Sequence, residues 1–163
     1  MEIDMMKEPD VMVYLMTGFL DSGKTQFLNF TLSQDYFQID GKTLLILCEE
    51  GEEEYDPREL LKYGVVIETV EDKEDLTEEW LEEMNKKHKP ERVVIEYNGM
   101  WQVSEFEKMK LPAGWAIEQK ITTVDASTFQ MYLTNLKPLF VEMVKGAAVS
   151  YTHLRAHETL ANL

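Results

Sequence analysis

The sequence predicts an α/β fold of three layers, in which helices cover both faces of a mostly parallel sheet. Short apolar runs of strand length alternate along the chain with stretches of helical character. These runs are continuously apolar, as in strands that are buried on both faces. No repeat of fixed period and no Pro- or Ser-rich linker divides the 163 residues, so we expect one domain.

Five segments carry the strand pattern. The first is VMVYLM, at once followed by a glycine-containing turn, and the second, TLLILC, follows the turn signal Asp40-Gly41. The five predicted strands are residues 11–16, 43–48, 65–70, 92–96 and a strand within 117–124.

Four segments carry the helical pattern and connect these strands. The second is short and begins with Pro57, a residue suited to the first position of a helix. In the last helix we expect Asp125 to be the N-cap and Pro138 to cause a bend. The predicted helices span residues 25–32, 57–63, 75–88 and about 125–145.

The charge composition of the chain limits which kinds of binding partner are expected. The chain carries 31 Asp and Glu against 16 Lys and Arg, a net charge of −15. Nucleic acids and anionic membranes bind clustered basic residues, so neither is an expected partner. No apolar run approaches the roughly 18 residues of a membrane-spanning helix. With no signal peptide pattern and one cysteine, Cys48, the expected location is the reducing cytoplasm.

The strongest chemical signal is GFLDSGKT at residues 18–25, which fits the phosphate-binding pattern G-x-x-x-x-G-K-[ST]. Gly18 and Gly23 permit the backbone angles that turn N–H groups towards an anion. Lys24 is expected to reach the β- and γ-phosphates, and Thr25 to bind Mg²⁺. The alternative is a glycine-rich turn that carries Lys-Thr by chance. The predicted nucleotide-binding residues are Gly18, Asp21, Ser22, Gly23, Lys24, Thr25, Gln26 and Gly99.

Two further segments follow predicted strands. Glu96 ends the fourth strand, the place where an acidic residue of P-loop proteins holds Mg²⁺. Gly99 can bring a backbone N–H close to the γ-phosphate. The alternative is a plain strand end before a turn. The acidic residues 49–56 follow the second strand, and are either a solvated loop or a metal-binding or switch segment. Cys48 with nearby carboxylates could hold a transition metal such as Zn²⁺, although buried packing is the commoner role.

At these residues the sequence resembles the CobW/HypB/UreG family of P-loop GTPases, and its CobW-like branch. The features that carry the resemblance are TGFLDSGKTQFLN, LCEEGEEEYD, VVIEYNGMW and ITTVDASTF, within residues 11–147. It implies a Rossmann-like P-loop NTPase domain and GTP hydrolysis coupled to metal delivery or to cofactor or metalloprotein maturation. Residues 18–25 would form the phosphate loop and 49–54 the first switch. Thr25 and Glu96 would bind Mg²⁺, Gly99 would contact the γ-phosphate, and nucleotide-dependent homodimers occur among such relatives.

The sequence departs from this family at three places, one of which is Asp21, where relatives often have Gly or another small residue. Residues 68–76 lack the C-x-C-C metal motif of many relatives, and no guanine-reading motif follows the fifth strand. Residues 148–163 have lost the strand pattern and resemble translated adapter sequence. We therefore expect an N-terminal tail (1–10), a P-loop GTPase domain that is incomplete at its C-terminus (11–147), and a non-native tail (148–163).

Several functions remain open from the residues alone. The leading hypothesis is a GTPase in which Lys24, Glu96 and Glu49 act in catalysis. Candidates for orienting the attacking water are Glu49, Glu50 and Asn98. An ATP-using P-loop kinase or ATPase is one alternative, and a nucleotide-gated carrier of a metal or protein with negligible turnover is another. A chain that does not function for lack of a base-reading strand is a third.

Overall fold

A computed structural model of the protein describes residues 9–19, 22–48, 54–146 and 149–153. Six strands within these residues form one sheet in the order β3-β2-β4-β1-β5-β6, and each pairing is parallel. The strands are β1 (Val11–Thr17), β2 (Thr43–Leu47), β3 (Val65–Thr69), β4 (Arg92–Glu96), β5 (Trp115–Asp125) and β6 (Val149–His153).

Helices connect the strands and form the two outer layers. The helices are α1 (Lys24–Leu32), α2 (Pro57–Leu61), α3 (Glu78–His88), α4 (Val103–Glu107), α5 (Phe129–Asn135) and α6 (Lys137–Gly146). No helix in the described part of the chain is long and apolar enough to cross a membrane.

Alternate residues of the central strands enter two separate hydrophobic clusters. Leu15 and Ile95 lie in a cluster that also contains buried residues of α3, α4 and α6. Their neighbours Met16 and Val94 lie in a second cluster, with residues of α1 and α2. Because side chains alternate across a strand, the two clusters lie on opposite faces of the sheet. The predicted three-layer α/β fold is confirmed.

The last predicted helix was wrong in its start, and it is interrupted close to Pro138, where a bend was expected. Residue Asp125 ends β5, and its carboxylate accepts hydrogen bonds from the backbone N–H and the hydroxyl of Ser127, which form a turn. Helical structure begins four residues later and is divided into α5 and α6 at Leu136. Pro138 lies in the first turn of α6, where its missing N–H removes no helical hydrogen bond.

Strand β6 also differs from the sequence prediction, in which the strand pattern ended before residue 148. Residues Val149–His153 pair in parallel with β5, Ile121 opposite Val149 and Asp125 opposite His153. Without β6, the edge of β5 would expose unpaired N–H and C=O groups. A five-residue extended segment can form hydrogen bonds with these groups through its backbone, so the pairing does not depend on its side chains. The non-native origin of residues 148–163 stays a prediction.

Candidate nucleotide-binding site

The candidate site lies at the edge of the sheet where β1, β4 and β5 end. The register places Met16 of β1 opposite Glu96 of β4, and Thr17 of β1 opposite Thr122 of β5. The loop that follows β1 and the turn that follows β4 therefore leave the sheet side by side. Ligands of open α/β sheets bind at this carboxyl edge.

Two glycines give the loop after β1 its path. The φ angles of Gly18 and Gly23 are 139° and 95°, a region that residues with a side chain rarely adopt. At Gly18 an added Cβ would also lie 2.5 Å from the carbonyl oxygen of Thr123. The loop therefore requires glycine at both positions, as the sequence motif indicates.

The N-terminus of α1 follows this loop directly, with a glycine at the capping position. Gly23 is the N-cap residue, and having no side chain it makes no capping hydrogen bond of its own. By contrast, Asp56 caps α2 and Thr77 caps α3. The first N–H groups of a helix have no partner within it, and they carry the positive end of its dipole. The start of α1 is thus suited to bind an anion such as phosphate.

Lys24 is held against the loop itself. Its side chain is buried, at 3% exposure, and its Nζ donates to the carbonyl oxygens of Gly18 at 2.6 Å and Phe19 at 2.9 Å. A desolvated ammonium at this place is a strong partner for a phosphate group. Phosphate would compete with these two carbonyl oxygens for the same donor.

Glu96 joins the helix after the loop to a third segment. Its carboxylate, in a residue 3% exposed, accepts a hydrogen bond from Thr25 Oγ1 at 2.9 Å and another from the hydroxyl of Tyr55. Burial and the adjacent Glu96 carboxylate raise the pKa of the Tyr55 phenol, although a hydrogen bond with Thr25 opposes this. The phenol therefore keeps its proton throughout the physiological pH range and stays a hydrogen-bond donor.

This donor set fits Mg²⁺. The ion prefers oxygen ligands, keeps several waters, and needs only one or two protein ligands when phosphates supply others. The Thr25 hydroxyl and the buried Glu96 carboxylate, hydrogen-bonded to each other across 71 residues of chain, are oxygen groups of the kind that would suit the ion. No group of three or more His, Cys, Asp or Glu residues that could hold a metal ion occurs within the described ranges.

Gly99 and Asn98 connect the turn after β4 to its surroundings. Gly99 is buried, and a Cβ at this position would lie 2.7 Å from the Cα of Phe19. The amide of Asn98 donates from Nδ2 to the carbonyl oxygen of Cys48 at 3.1 Å, and its Oδ1 accepts from the N–H of Met100 at 2.9 Å. Gly99 thus lets the turn pack against the phosphate loop, while Asn98 ties it to the end of β2.

A set of hydroxyl groups, all but Ser22 missed by sequence reasoning, connects the loop to β5. The hydroxyls of Ser22 and Thr123 are 2.6 Å apart, and those of Thr17 and Thr122 are 2.8 Å apart. Thr122 also donates to the carbonyl oxygen of Met143 in α6. Polar residues at the end of an apolar strand were the signal that could have identified them.

Of the other predicted site residues, the structure describes Gln26 and Cys48. Gln26 is exposed on α1 and borders a cavity of about 420 Å³ between this helix and the sheet. Asp21, Glu49 and Glu50 lie outside the described residues. Cys48 is buried in the core, at 1% exposure.

Comparison with known proteins agrees with this geometry. The family model for the CobW/HypB/UreG nucleotide-binding domain matches residues 12–152, which is most of the chain. The match extends from β1 into β6 and includes the phosphate loop, Tyr55, Glu96 and Gly99. No curated protein sequence matches the chain.

Proposed function

Because the chain belongs to the CobW/HypB/UreG family of nucleotide-binding domains, we propose that it binds GTP with Mg²⁺ and hydrolyses it. The observation that best supports this is the hydrogen bond from Thr25 to Glu96, next to the glycine-rich loop. It connects the phosphate-binding segment to a buried carboxylate, beside the position where the metal ion of a bound nucleotide would lie.

Binding of the phosphates is the task of the loop and of α1. Lys24 would exchange the carbonyl oxygens of Gly18 and Phe19 for phosphate oxygens, and the N–H groups at the start of α1 would donate to the same phosphates. Phosphoryl transfer requires positioning and charge stabilisation more than covalent chemistry from the protein. Once Lys24 has made this exchange, these groups are in place before phosphoryl transfer and need little rearrangement during it.

The remaining groups would hold the metal ion and the terminal phosphate. Thr25 and Glu96 are the residues that would hold Mg²⁺, which when bound neutralises the charge that develops on the phosphates. The backbone of Gly99, packed on the loop at Phe19, would donate its N–H to the γ-phosphate. Among the candidates for orienting the attacking water we favour Glu49 or Glu50, since both ends of the Asn98 amide are engaged.

We extend this proposal from the family to a cellular role. Hydrolysis would be coupled to delivery of a metal ion such as Zn²⁺, as cargo, to a metalloprotein client, or to cofactor maturation. The protein would work in the cytoplasm, with a homodimer formed in the nucleotide-bound state. Membership of the CobW/HypB/UreG family supports this role.

The test is equilibrium binding of GTP and ATP, each with Mg²⁺ and with a chelator, followed by measurement of released phosphate. We expect tighter binding of GTP, stronger binding with Mg²⁺, and steady phosphate release. Tighter binding of ATP would favour the kinase or ATPase alternative. Tight GTP binding with turnover below about one per hour would favour a nucleotide-gated carrier instead.

A further inference from the structure

Both oxygens of the Glu96 carboxylate accept hydrogen bonds from hydroxyl groups. Thr25 donates to Oε1 at 2.9 Å, and the phenol of Tyr55 donates to Oε2. Thr25 belongs to the phosphate-binding helix α1. Tyr55 belongs to a different segment, the connection between β2 and α2, to which neither the sequence motif nor the proposed reaction assigns a task.

The chain on both sides of Tyr55 is anchored. The carbonyl oxygen of Glu54 accepts a hydrogen bond from the side chain of Asn29 in α1. On the other side Asp56 caps α2, with its carboxylate accepting from the N–H of Arg58 at 2.9 Å. The phenol is therefore presented to Glu96 by a fixed backbone, and a rotation of the side chain alone can break the contact.

A bound magnesium ion creates competition for Oε2. Mg²⁺ gives up its waters reluctantly, so a carboxylate beside it commonly accepts hydrogen bonds from metal-bound water. Thr25 donates to Oε1 of Glu96 and Tyr55 donates to Oε2, so metal-bound water that approaches Oε2 meets the oxygen that Tyr55 already contacts. We propose that the Tyr55 hydroxyl competes with magnesium-bound water for Glu96, so that Tyr55 leaves Glu96 when Mg²⁺–GTP binds.

This proposal rests on the proposed function and adds a control element to it. The Tyr55 hydroxyl and the metal-bound water compete for the same Glu96 oxygen, so the contact between Tyr55 and Glu96 lowers the affinity for the metal ion. By linkage, metal binding releases Tyr55 to the same extent. Tyr55 directly follows the acidic residues 49–54, and its release would signal the metal-bound state to that segment.

The experiment compares the wild type with Y55F, which removes only the hydroxyl. The dissociation constant for GTP is measured with a chelator and with Mg²⁺. The readout is the first value divided by the second, which states how much Mg²⁺ strengthens binding. Loss of one hydrogen bond to a charged group should increase this ratio about tenfold in Y55F. A tenfold change corresponds to about 1.4 kcal/mol of binding free energy. The dissociation constant without metal should stay unchanged.

A matched control is Y63F, which removes the hydroxyl of a partly buried tyrosine just beyond α2. Its ratio should equal that of the wild type. A ratio in Y55F that is unchanged or lower would overturn the proposal. So would a wild type whose GTP binding is indifferent to Mg²⁺, a result that would remove the proposed function as well.

A measurement without nucleotide separates the two conclusions. Urea unfolding of Y55F, E96Q and the double variant forms a double-mutant cycle for the contact. Losses of stability that are smaller in the double variant than the sum of the single ones support the contact. Additive losses would overturn the role of Tyr55 while GTP binding by the wild type kept the proposed function intact.

Discussion

A methyl group at position 99 would collide with the backbone of the phosphate loop. A Cβ there would lie 2.7 Å from the Cα of Phe19 and would also meet the backbone of Gly18. Ordinary contact begins at 3.4 Å, so the two backbones must separate by at least about 0.7 Å, and by more at the carbonyl oxygen of Gly18, which lies closer than the Cα of Phe19. Neither is the flexible end of a side chain, and the strain cannot be relieved by a change of rotamer.

The cost of Gly99→Ala follows from this geometry. Overpacking a well-packed interior costs about 1–3 kcal/mol. With a urea m-value of about 2 kcal/mol/M, the unfolding midpoint should fall by about 0.5–1.5 M. Because the loop is displaced, GTP hydrolysis should also slow, by up to about a hundredfold for a shift near 1 Å.

Gly41→Ala is the matched control. A Cβ at position 41 would also come too close to a neighbour, but that neighbour is the carboxylate end of Glu91, an exposed side chain. Rotation of this side chain relieves the overlap, so the free energy of unfolding should change by less than about 0.5 kcal/mol. GTP hydrolysis should match that of the wild type.

Urea unfolding followed by fluorescence and a phosphate-release assay measure both effects. Equal unfolding midpoints and equal hydrolysis rates in Gly99→Ala and Gly41→Ala would refute the reasoning. A loss of stability with unchanged hydrolysis would refute only its second part, the link from Gly99 to the position of the loop.

Two further predictions concern charged side chains. Lys24→Met keeps the apolar stem and removes the ammonium, so the dissociation constant for GTP should rise about a hundredfold or more; an unchanged constant in a binding titration would contradict this. Desolvation at Glu68 raises its pKa, but hydrogen bonds from Lys87 and His88 outweigh it and hold the pKa below the ordinary 4.5. A lowered carboxyl pKa stabilises the fold above the unfolded value, and this is lost as the pH falls through the folded one. In urea unfolding, Glu68→Gln should therefore be less stable than the wild type by under about 1 kcal/mol at pH 7, a gap that closes in acid; a gap as wide in acid as at pH 7 would contradict this.

The strands and the phosphate loop could be predicted because their signals are local. Continuous apolar runs identified β1 to β5 to within a few residues, and the spacing of Gly18, Gly23 and Lys24 contains the loop's geometry. The position of Glu96 followed from the same reasoning, since parallel strands deliver their ends to one edge. These features depend on residues that are neighbours in sequence or in a regular sheet.

The contacts that the sequence could not indicate depend on distant partners. Tyr55 contacts Glu96 across 41 residues, and nothing in the acidic run before it distinguishes a half-buried phenol from an exposed one. Helix α4 is only five residues long, too short for a periodic pattern, and its fully buried Phe106 packs into the core cluster. Asp is favoured both at the N-cap of a helix and in turns, so the residue type of Asp125 could not show that it forms a turn.

The position of β4 in the sheet has a consequence for how the protein is made. Strand β1 pairs with β4 and β5, whereas β2 pairs with β3 and β4. While the ribosome is still synthesising residues before Arg92, the strand that carries the phosphate loop therefore lacks both of these neighbours. Such distant pairing slows folding, because a long loop must close before any contact compensates for it. The first motif to be translated is thus among the last to acquire its shape, and nucleotide can stabilise the chain only after β4 has entered between the two earlier strands.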